Sequence, residues 1–411
     1  MHYQIYCEKC GIELTDKISA GKKCPECNGS LRFRYDYNKI KGQVIRKDLP
    51  GIWKYINLLP VSKDSNFITY SEGETPLLRS NNLAKKLGLR ELFIKDETQN
   101  PTGSFKDRAA AVSLTKAVEF KKDLVAIGSG GNAAAAAAAY AARANLDCFV
   151  FLPATTPMER VAQSLIYGAK VIRVKGSIND AIKLISKYQD EFDWYELTTA
   201  KPLNPYQGEA VKTIAFEICE QMKGVVPDWV ITPVGGGGIL SQCWKGFNEY
   251  KQLGLIDSLP KMAGVQPAGC APLIKAFDDK CKPDEIKVWE GKPESIAVTI
   301  ADVFPIDGEA ALSAIYESGG VAEKTTDEEI IEAMKLMAQN EGVFAEPAGA
   351  APLAAVKKLR DKGIIGSDET VVVVATGHGL KDLNAVVSNV KRPPILESEE
   401  ELPVIVKRYL G

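Results

Sequence analysis

Val125-Ala126-Ile127-Gly128-Ser129-Gly130-Gly131-Asn132 leads directly into the alanine run Ala133–Ala139. An apolar run, a glycine-rich turn and a helix-forming stretch, in that order, read as one strand–loop–helix unit of an open parallel sheet. The alanines predict a helix without bulk, able to lie close against a sheet. Outward from this unit the alternation repeats, with strands predicted at Leu92–Lys95, Val125–Gly128, Cys148–Leu152, Lys170–Val174, Trp229–Val234, Lys261–Gln266 and Thr370–Ala375. The last holds four consecutive valines, Val371 to Val374, as in a strand covered on both faces. Thr156-Pro157-Met158-Glu159 and Thr326-Asp327-Glu328-Glu329 read as helix starts, each with a hydroxyl cap and a glutamate three residues on. In the first, proline is expected at the first helical position. The fold class is α/β, with open, mostly parallel sheets and sites at the carboxyl ends of strands.

At 411 residues the chain is too long for one core, so two or three domains are expected. Lys plus Arg (51) nearly balance Asp plus Glu (53) and no basic block stands out, which argues against nucleic acid as a partner. The alanine run is too short to span a bilayer and ends at Tyr140 and Arg143, so no membrane partner is expected. Met1-His2-Tyr3-Gln4 lacks a basic region followed by an apolar one, so a cytoplasmic enzyme is expected.

Cys7-Glu8-Lys9-Cys10 and Cys24-Pro25-Glu26-Cys27 are paired knuckles of the kind that close a thiolate tetrahedron around zinc, with Gly11 and Gly29 supplying turns. With all four positions taken by protein, the ion is structural, in a ribbon (1–35) too small to fold without it. Cys148, Cys219, Cys243, Cys270 and Cys281 sit among apolar neighbours and are expected as buried free thiols. Residues 36–71, broken by Pro50-Gly51 and Pro60, read as an irregular linker packed on the body. The tail 393–411 is charged and then apolar, suited to cover the body or a second subunit.

Three further stretches carry chemistry. Asn100-Pro101-Thr102-Gly103-Ser104-Phe105-Lys106-Asp107-Arg108 places Lys106 at the opening of an alanine-rich helix. A lysine so placed, if desolvated, loses its proton and attacks carbonyls; otherwise it is a solvated first-turn lysine. Gly235-Gly236-Gly237-Gly238, after the strand at Trp229 and before Ile239, has the run of backbone N–H groups that wraps an anion, most often a phosphate. No G-K-[ST] follows, which disfavours a nucleotide triphosphate. Ser129, Gly130, Gly131 and Asn132 form a lighter version at another helix start, suited to a carboxylate or a phosphate; Asn132 can cap that helix or reach a ligand. Ala375-Thr376-Gly377-His378-Gly379 closes the valine strand, where Thr376 can donate to a ring nitrogen or cap the next helix. His378 lacks the G-x-S-x-G elbow of a hydrolase.

These stretches together resemble the fold type II (tryptophan synthase β-like) pyridoxal phosphate enzymes, and within them the threonine synthases, from Gly73-Glu74-Thr75-Pro76-Leu77 to Lys381-Asp382. Glu346-Pro347-Ala348-Gly349-Ala350 and the zinc ribbon are similar to that branch, the ribbon to its archaeal type. The resemblance implies a large cofactor-binding domain (72–111 and 204–392), a small mobile domain (112–203) and a homodimer. It implies that Lys106 carries pyridoxal phosphate and shuttles protons, and that Asn132 bonds the cofactor's ring oxygen. Gly235–Ile239 would hold the cofactor phosphate, Thr376 would face its ring nitrogen, and the Ser129–Asn132 loop would take the substrate carboxylate. The implied reaction is that of a lyase, O-phosphohomoserine and water giving threonine and phosphate.

The chain departs from that pattern where the family holds the substrate phosphate. Lys201-Pro202-Leu203-Asn204-Pro205-Tyr206-Gln207 stands in place of N-S-x-N-P-x-R, so Gln207 replaces an arginine fork and Lys201 offers only a point charge. The four plain glycines resemble threonine or serine dehydratases, and Asp302 stands where an arginine-containing segment is common. Two alternatives therefore remain open. One is β-elimination or β-replacement on a serine- or threonine-like amino acid, as in an ammonia-lyase or a cysteine or cysteate synthase. The other is a non-catalytic pyridoxal phosphate-binding or zinc-dependent interaction protein.

Overall fold

The computed structural model describes residues 2–14, 23–200, 203–390 and 392–410. The apolar runs pair as parallel strands because their buried neighbours cover them on both faces. Counting the described residues, thirteen strands make three sheets. The ribbon sheet is β1 (Tyr3–Cys7), β2 (Glu13–Leu14) and β3 (Leu31–Tyr35), antiparallel in the order β2-β1-β3. The large sheet takes β4 (Leu77–Arg79) and β5 (Glu91–Asp96) from early in the chain. Between them and its later strands runs a four-stranded sheet of β6 (Leu124–Gly128), β7 (Asp147–Pro153), β8 (Lys170–Val174) and β9 (Tyr195–Glu196), parallel throughout in the order β8-β7-β6-β9. The large sheet then gains β10 (Trp229–Pro233), β11 (Lys261–Pro267), β12 (Val321–Thr325) and β13 (Thr370–Ala375). Its order is β12-β11-β10-β13-β5-β4, with only the edge strand β4 antiparallel. Every residue of β13 is buried, as the valine run predicts.

All seven expected strands are present, while β12, β9 and β4 go beyond them. β12 reads Val-Ala-Glu-Lys-Thr, an edge strand whose polar residues mask its apolar face; β9 has two residues and β4 three. The helix start at Thr326 forms as expected, with Thr326 and Glu329 closing a reciprocal capping box. The start at Thr156 does not. Pro157, extended at ψ 141°, is itself the cap residue, the helix begins at Met158, and no side chain caps it. Residues 36–71 pack on the body and carry a short helical segment. Gly51–Leu58 is a 3₁₀ segment whose Ile52, Trp53, Tyr55, Ile56 and Leu58 are fully buried, and Trp53 stacks on Phe67 at 4.3 Å. The tail 393–411 ends in a helix, Leu402–Leu410, with Leu402, Val404 and Tyr409 exposed.

Six helices position the site: α1 (Lys106–Glu119), α2 (Asn132–Ala144), α3 (Met158–Ile166), α4 (Pro205–Val211), α5 (Thr213–Gln221) and α6 (Gly238–Gln252). Seven alanines of α2, Ala133 to Ala139, are all buried, so the helix does lie close to its neighbours. The ribbon docks on α4 and α6 through buried polar contacts. Tyr35 donates to Glu209 Oε2 at 2.9 Å, Tyr37 to Glu249 Oε1 at 3.2 Å, and Lys212 lies 4.1 Å from the Tyr35 ring centre. No helix of the described chain is long and apolar enough to cross a membrane.

Candidate active site and zinc ribbon

Lys106 sits where it does because the turn before it is closed on itself. Asp107 accepts from the Thr102 N–H (2.7 Å) and hydroxyl (2.6 Å), and Gly103 takes φ +83°. The turn is also stitched to the end of β13: Phe105 N–H donates to the Thr376 carbonyl (3.0 Å) and His378 N–H to that of Gly103 (2.9 Å). Lys106 is half-buried, with its ammonium 4.7 Å from the Phe105 ring centre. Burial lowers its pKa, and the nearby carboxylates Asp302, Asp307 and Glu346 only partly offset this. An amine so placed is readier to lose its proton than a solvated lysine.

The four-glycine loop follows β10 and opens α6. Gly237 is the cap residue at φ +95°, and no side chain caps the helix, so its first N–H groups face the loop unpaired by any capping side chain. Only glycine fits. An added Cβ on Gly235 would lie 2.9 Å from the Thr299 carbonyl oxygen, and one on Gly237 2.8 Å from that of Asp307. Gly236 accepts from the Asp307 N–H at 2.7 Å, and Ile239 is buried behind the loop. Asp302, whose Oδ2 would be 3.0 Å from a Cβ on Gly235, has its pKa pushed up to about 6 by burial, with Lys106 opposing.

On the other sheet, β6 ends at Gly128 and the loop Ser129–Asn132 turns into α2. Ser129 Oγ accepts from the Gly131 N–H at 3.3 Å. Asn132 does not cap α2, whose cap position is Gly131; its amide donates to Glu346 Oε1 at 2.8 Å. That bond joins the two sheets. Gly377 lies tight against the same pair, since an added Cβ would sit 2.6 Å from Glu346 Oε1 and 3.1 Å from Asn132 Nδ2. Thr376 is buried next to it, and the cap of the following turn is His378, whose Nδ1 accepts from Leu380 N–H at 3.1 Å.

Three carboxylates near Lys106 link it to the other stretches: Asp302 lies against Gly235, Asp307 against Gly237 and Gly238, and Glu346 against Asn132 and Gly377. Gln207 lines a small pocket with Lys106, but its amide nitrogen donates to the Thr198 carbonyl at 2.6 Å and its side chain is buried. Lys201 lies outside the described residues. Sequence reading missed Glu346, Asp307 and Arg160 as site residues; their signal is proximity across more than two hundred positions in the case of Asn132 and Glu346, which no local motif carries.

A nest closed to side chains at Gly235 and Gly237, a desolvated amine and a buried hydroxyl at a strand end fit pyridoxal phosphate. A family profile described as "Pyridoxal-phosphate dependent enzyme" matches residues 68–377. The chain belongs to the pyridoxal-phosphate dependent enzymes. Threonine synthase of Methanocaldococcus jannaschii is 44% identical over 409 residues, 98% of either chain. That of Methanosarcina acetivorans is 42% identical over 403 residues, 96% of either chain. Among solved structures, O-ureido-L-serine synthase matches with TM-score 0.68 at 19% identity, covering 82% of this chain and 99% of its own. It shares the fold.

Burial pushes the Glu346 carboxyl up to about 7, opposed by Lys381 and Arg160 and by the Asn132 hydrogen bond. The folded state therefore keeps this proton where the unfolded chain has lost it, and stability falls as pH rises from the ordinary carboxylate range through 7. Glu346→Gln keeps an acceptor for Asn132 and removes the titration. Its melting temperature should match the native protein near pH 5 and exceed it by ~2–4 °C at pH 8. An equal offset at both pH values would show that Glu346 is not the titrating group.

The four ribbon thiols, Cys7, Cys10, Cys24 and Cys27, all lie within 4.8 Å of one another, with Cys7 and Cys27 sulfurs 3.4 Å apart. This set suits a tetrahedral zinc ion. Of the other cysteines, Cys148, Cys219, Cys243 and Cys270 are buried and Cys281 half-buried, as expected. Chelation should disorder the ribbon, expose Tyr35 and leave Glu209 to Lys212 and Lys245 alone, while cofactor absorbance persists because the two sites share no residue. Loss of that absorbance on chelation would show that the ribbon supports the cofactor site through α4.

Proposed function

We propose that this chain is a lyase that converts O-phosphohomoserine and water to threonine and phosphate. The linkage of Lys106 to two glycine loops through Asp302, Asp307 and Glu346 carries the reading, and the threonine synthases at up to 44% identity over nearly the whole chain support its substrate. Pyridoxal phosphate, when bound, supplies a carbonyl for an amine and a ring that accepts the electron pair left by a breaking C–H bond.

The chain's residues do the rest. Lys106 Nζ, poised by burial to give up its proton, carries protons from the substrate's α-carbon and then its β-carbon. Phosphate then leaves the γ-carbon, which takes up a proton to become the methyl group; water supplies hydroxide to the β-carbon, and a proton returns to the α-carbon before threonine is released. The Ser129–Asn132 loop holds the α-carboxylate against the start of α2, with Asn132 also facing the cofactor ring. Gly235–Ile239 would hold the cofactor phosphate, and the Thr376 hydroxyl would face the ring nitrogen. A hydroxyl there would leave that nitrogen largely unprotonated, so proton handling by Lys106 would matter more.

Residues 112–203, which contain β6 to β9, act in this proposal as a mobile unit closing over the substrate to exclude water. Homodimerisation and a reducing, cytoplasmic setting belong to the same proposal. Exposed apolar residues on the C-terminal helix and five unpaired cysteines outside the zinc set support them.

The purified enzyme, assayed with O-phosphohomoserine, threonine, serine and O-phosphoserine, should release phosphate and threonine from the first alone. Keto acid from threonine or serine, with O-phosphohomoserine inert, would favour an ammonia-lyase. Gln207, already bonded to Thr198, is the observation on that side.

A further inference from the structure

Resting on that reading, we infer that Arg160 on α3 is the residue that recognises the distal phosphomonoester of the substrate. The position where the resemblance places an arginine is Gln207, and it is spent. Its amide donates to the Thr198 carbonyl at 2.6 Å, and it borders a pocket of about 10 Å³ walled by Ala109, Leu114 and Ile127. Lys106 also lines that pocket, but a dianion finds no room there.

The larger space lies on the other side of Asn132. A cleft of about 620 Å³ runs between the start of α2 and α3, with Gly131, Asn132, Arg160, Glu346 and Lys381 on its walls. That volume suits a small ligand. Arg160 stands beside the carboxylate loop, since its Nη2 would be 3.1 Å from a Cβ on Gly131. Two cations face this cleft, and they differ in what they are free to do. Lys381 is committed, donating to the Thr102 carbonyl and to Gln163 Oε1, both at 2.7 Å. The Arg160 guanidinium makes no hydrogen bond or ion pair among the described residues; only its backbone N–H is engaged, with the Pro157 carbonyl. A guanidinium fork without a hydrogen-bond partner, in a ligand-sized cleft where only the charge of Glu346 is felt at a distance, next to the loop that takes an α-carboxylate, suits a second anion on the same molecule. An amino acid held at Ser129–Asn132 carries its γ-phosphate only a few bonds from that loop.

The test compares the native holoenzyme with Arg160→Gln and Arg160→Lys. For Arg160→Gln, KM for O-phosphohomoserine should rise ~10- to 100-fold with kcat changed far less. Competitive inhibition by inorganic phosphate should weaken in parallel. Binding of threonine, which lacks the phosphate, is read from the cofactor's absorbance and should stay unchanged. Arg160→Lys should fall between. Unaltered KM would overturn the inference. So would an equal loss of threonine binding, which would assign Arg160 to the α-carboxylate instead. A native enzyme that makes no threonine from O-phosphohomoserine overturns the functional reading itself; native activity with an unaffected variant overturns only the role of Arg160.

Discussion

Lys106→Ala is expected to lower turnover by at least ~10⁴-fold while leaving the fold as stable as before, or more so. Two functions vanish with the amine: the covalent anchor and the proton carrier, the second alone worth ~10²–10⁴. Stability follows from the same burial that tunes the amine. Because its pKa is lowered, the folded state gives up the proton sooner than the unfolded chain. That cost is full below the folded pKa and is relieved as pH rises through it toward the ordinary lysine value. At neutral pH alanine removes the cost, and with it a contact on Phe105 and the charge that opposes the burial of Asp302. The cofactor-free variant should melt at or above the native temperature, and reconstitution should give no yellow protein with a lysine-linked cofactor spectrum. Turnover within tenfold of native would end the assignment of Lys106.

What the sequence made legible was whatever is local. β6, its glycine loop and the alanine helix occupy consecutive residues, so period and turn chemistry identified them directly. The four glycines in succession were equally plain, and the added-Cβ clashes at Gly235 and Gly237 give their reason. Pro157 was misjudged because proline suits both the first helical position and the extended residue before it, and only the backbone angle separates the two. β12 stayed hidden because Glu323 and Lys324 break its apolar run, even though Glu323 is buried. Asn132 was read as a cap or a ligand contact; its bond to Glu346 depends on how two sheets are juxtaposed, which no window of sequence contains. The same holds for Arg160, which looks like any surface cation of an amphipathic helix until Gly131 is placed beside it.

Arg108→Met is expected to destabilise the protein by ~3–5 kcal/mol, the largest effect on stability among these substitutions. Arg108 is fully buried and spans two carboxylates. Nε and Nη2 donate to Glu97 at 2.8 and 2.7 Å, and Nη1 and Nη2 to Glu217 at 2.6 and 2.8 Å. Lys95, also buried, donates to Glu217 at 2.6 Å and to the Thr75 carbonyl at 2.7 Å. Two cations thus balance two anions out of reach of water, and removing Arg108 leaves an uncompensated negative charge there. Methionine fills much of the volume, so the loss reports charge and hydrogen bonds rather than a cavity. The pH dependence separates this from simple misfolding. Burial alone would raise the Glu217 pKa, but Arg108 and Lys95 outweigh it and hold the carboxyl far below its usual range. A carboxylate held low stabilises the fold above its unfolded pKa and loses that stabilisation as pH falls through the folded value. Without Arg108 this advantage shrinks, so the gap between native and variant should be full at pH 7, begin to narrow only below the unfolded carboxylate value of ~4.3, and close further as pH falls toward the folded value. Arg108→Met combined with Glu97→Met restores neutrality and should recover part of the loss in urea titrations. A gap that is constant with pH, with no recovery in the double variant, would make Arg108 a packing residue. Arg108 lies two positions after Lys106 on the first turn of α1, and α5 supplies Glu217. The ion cluster is therefore what fixes the start of α1 to the body, and with it the direction in which the Lys106 amine enters the crevice.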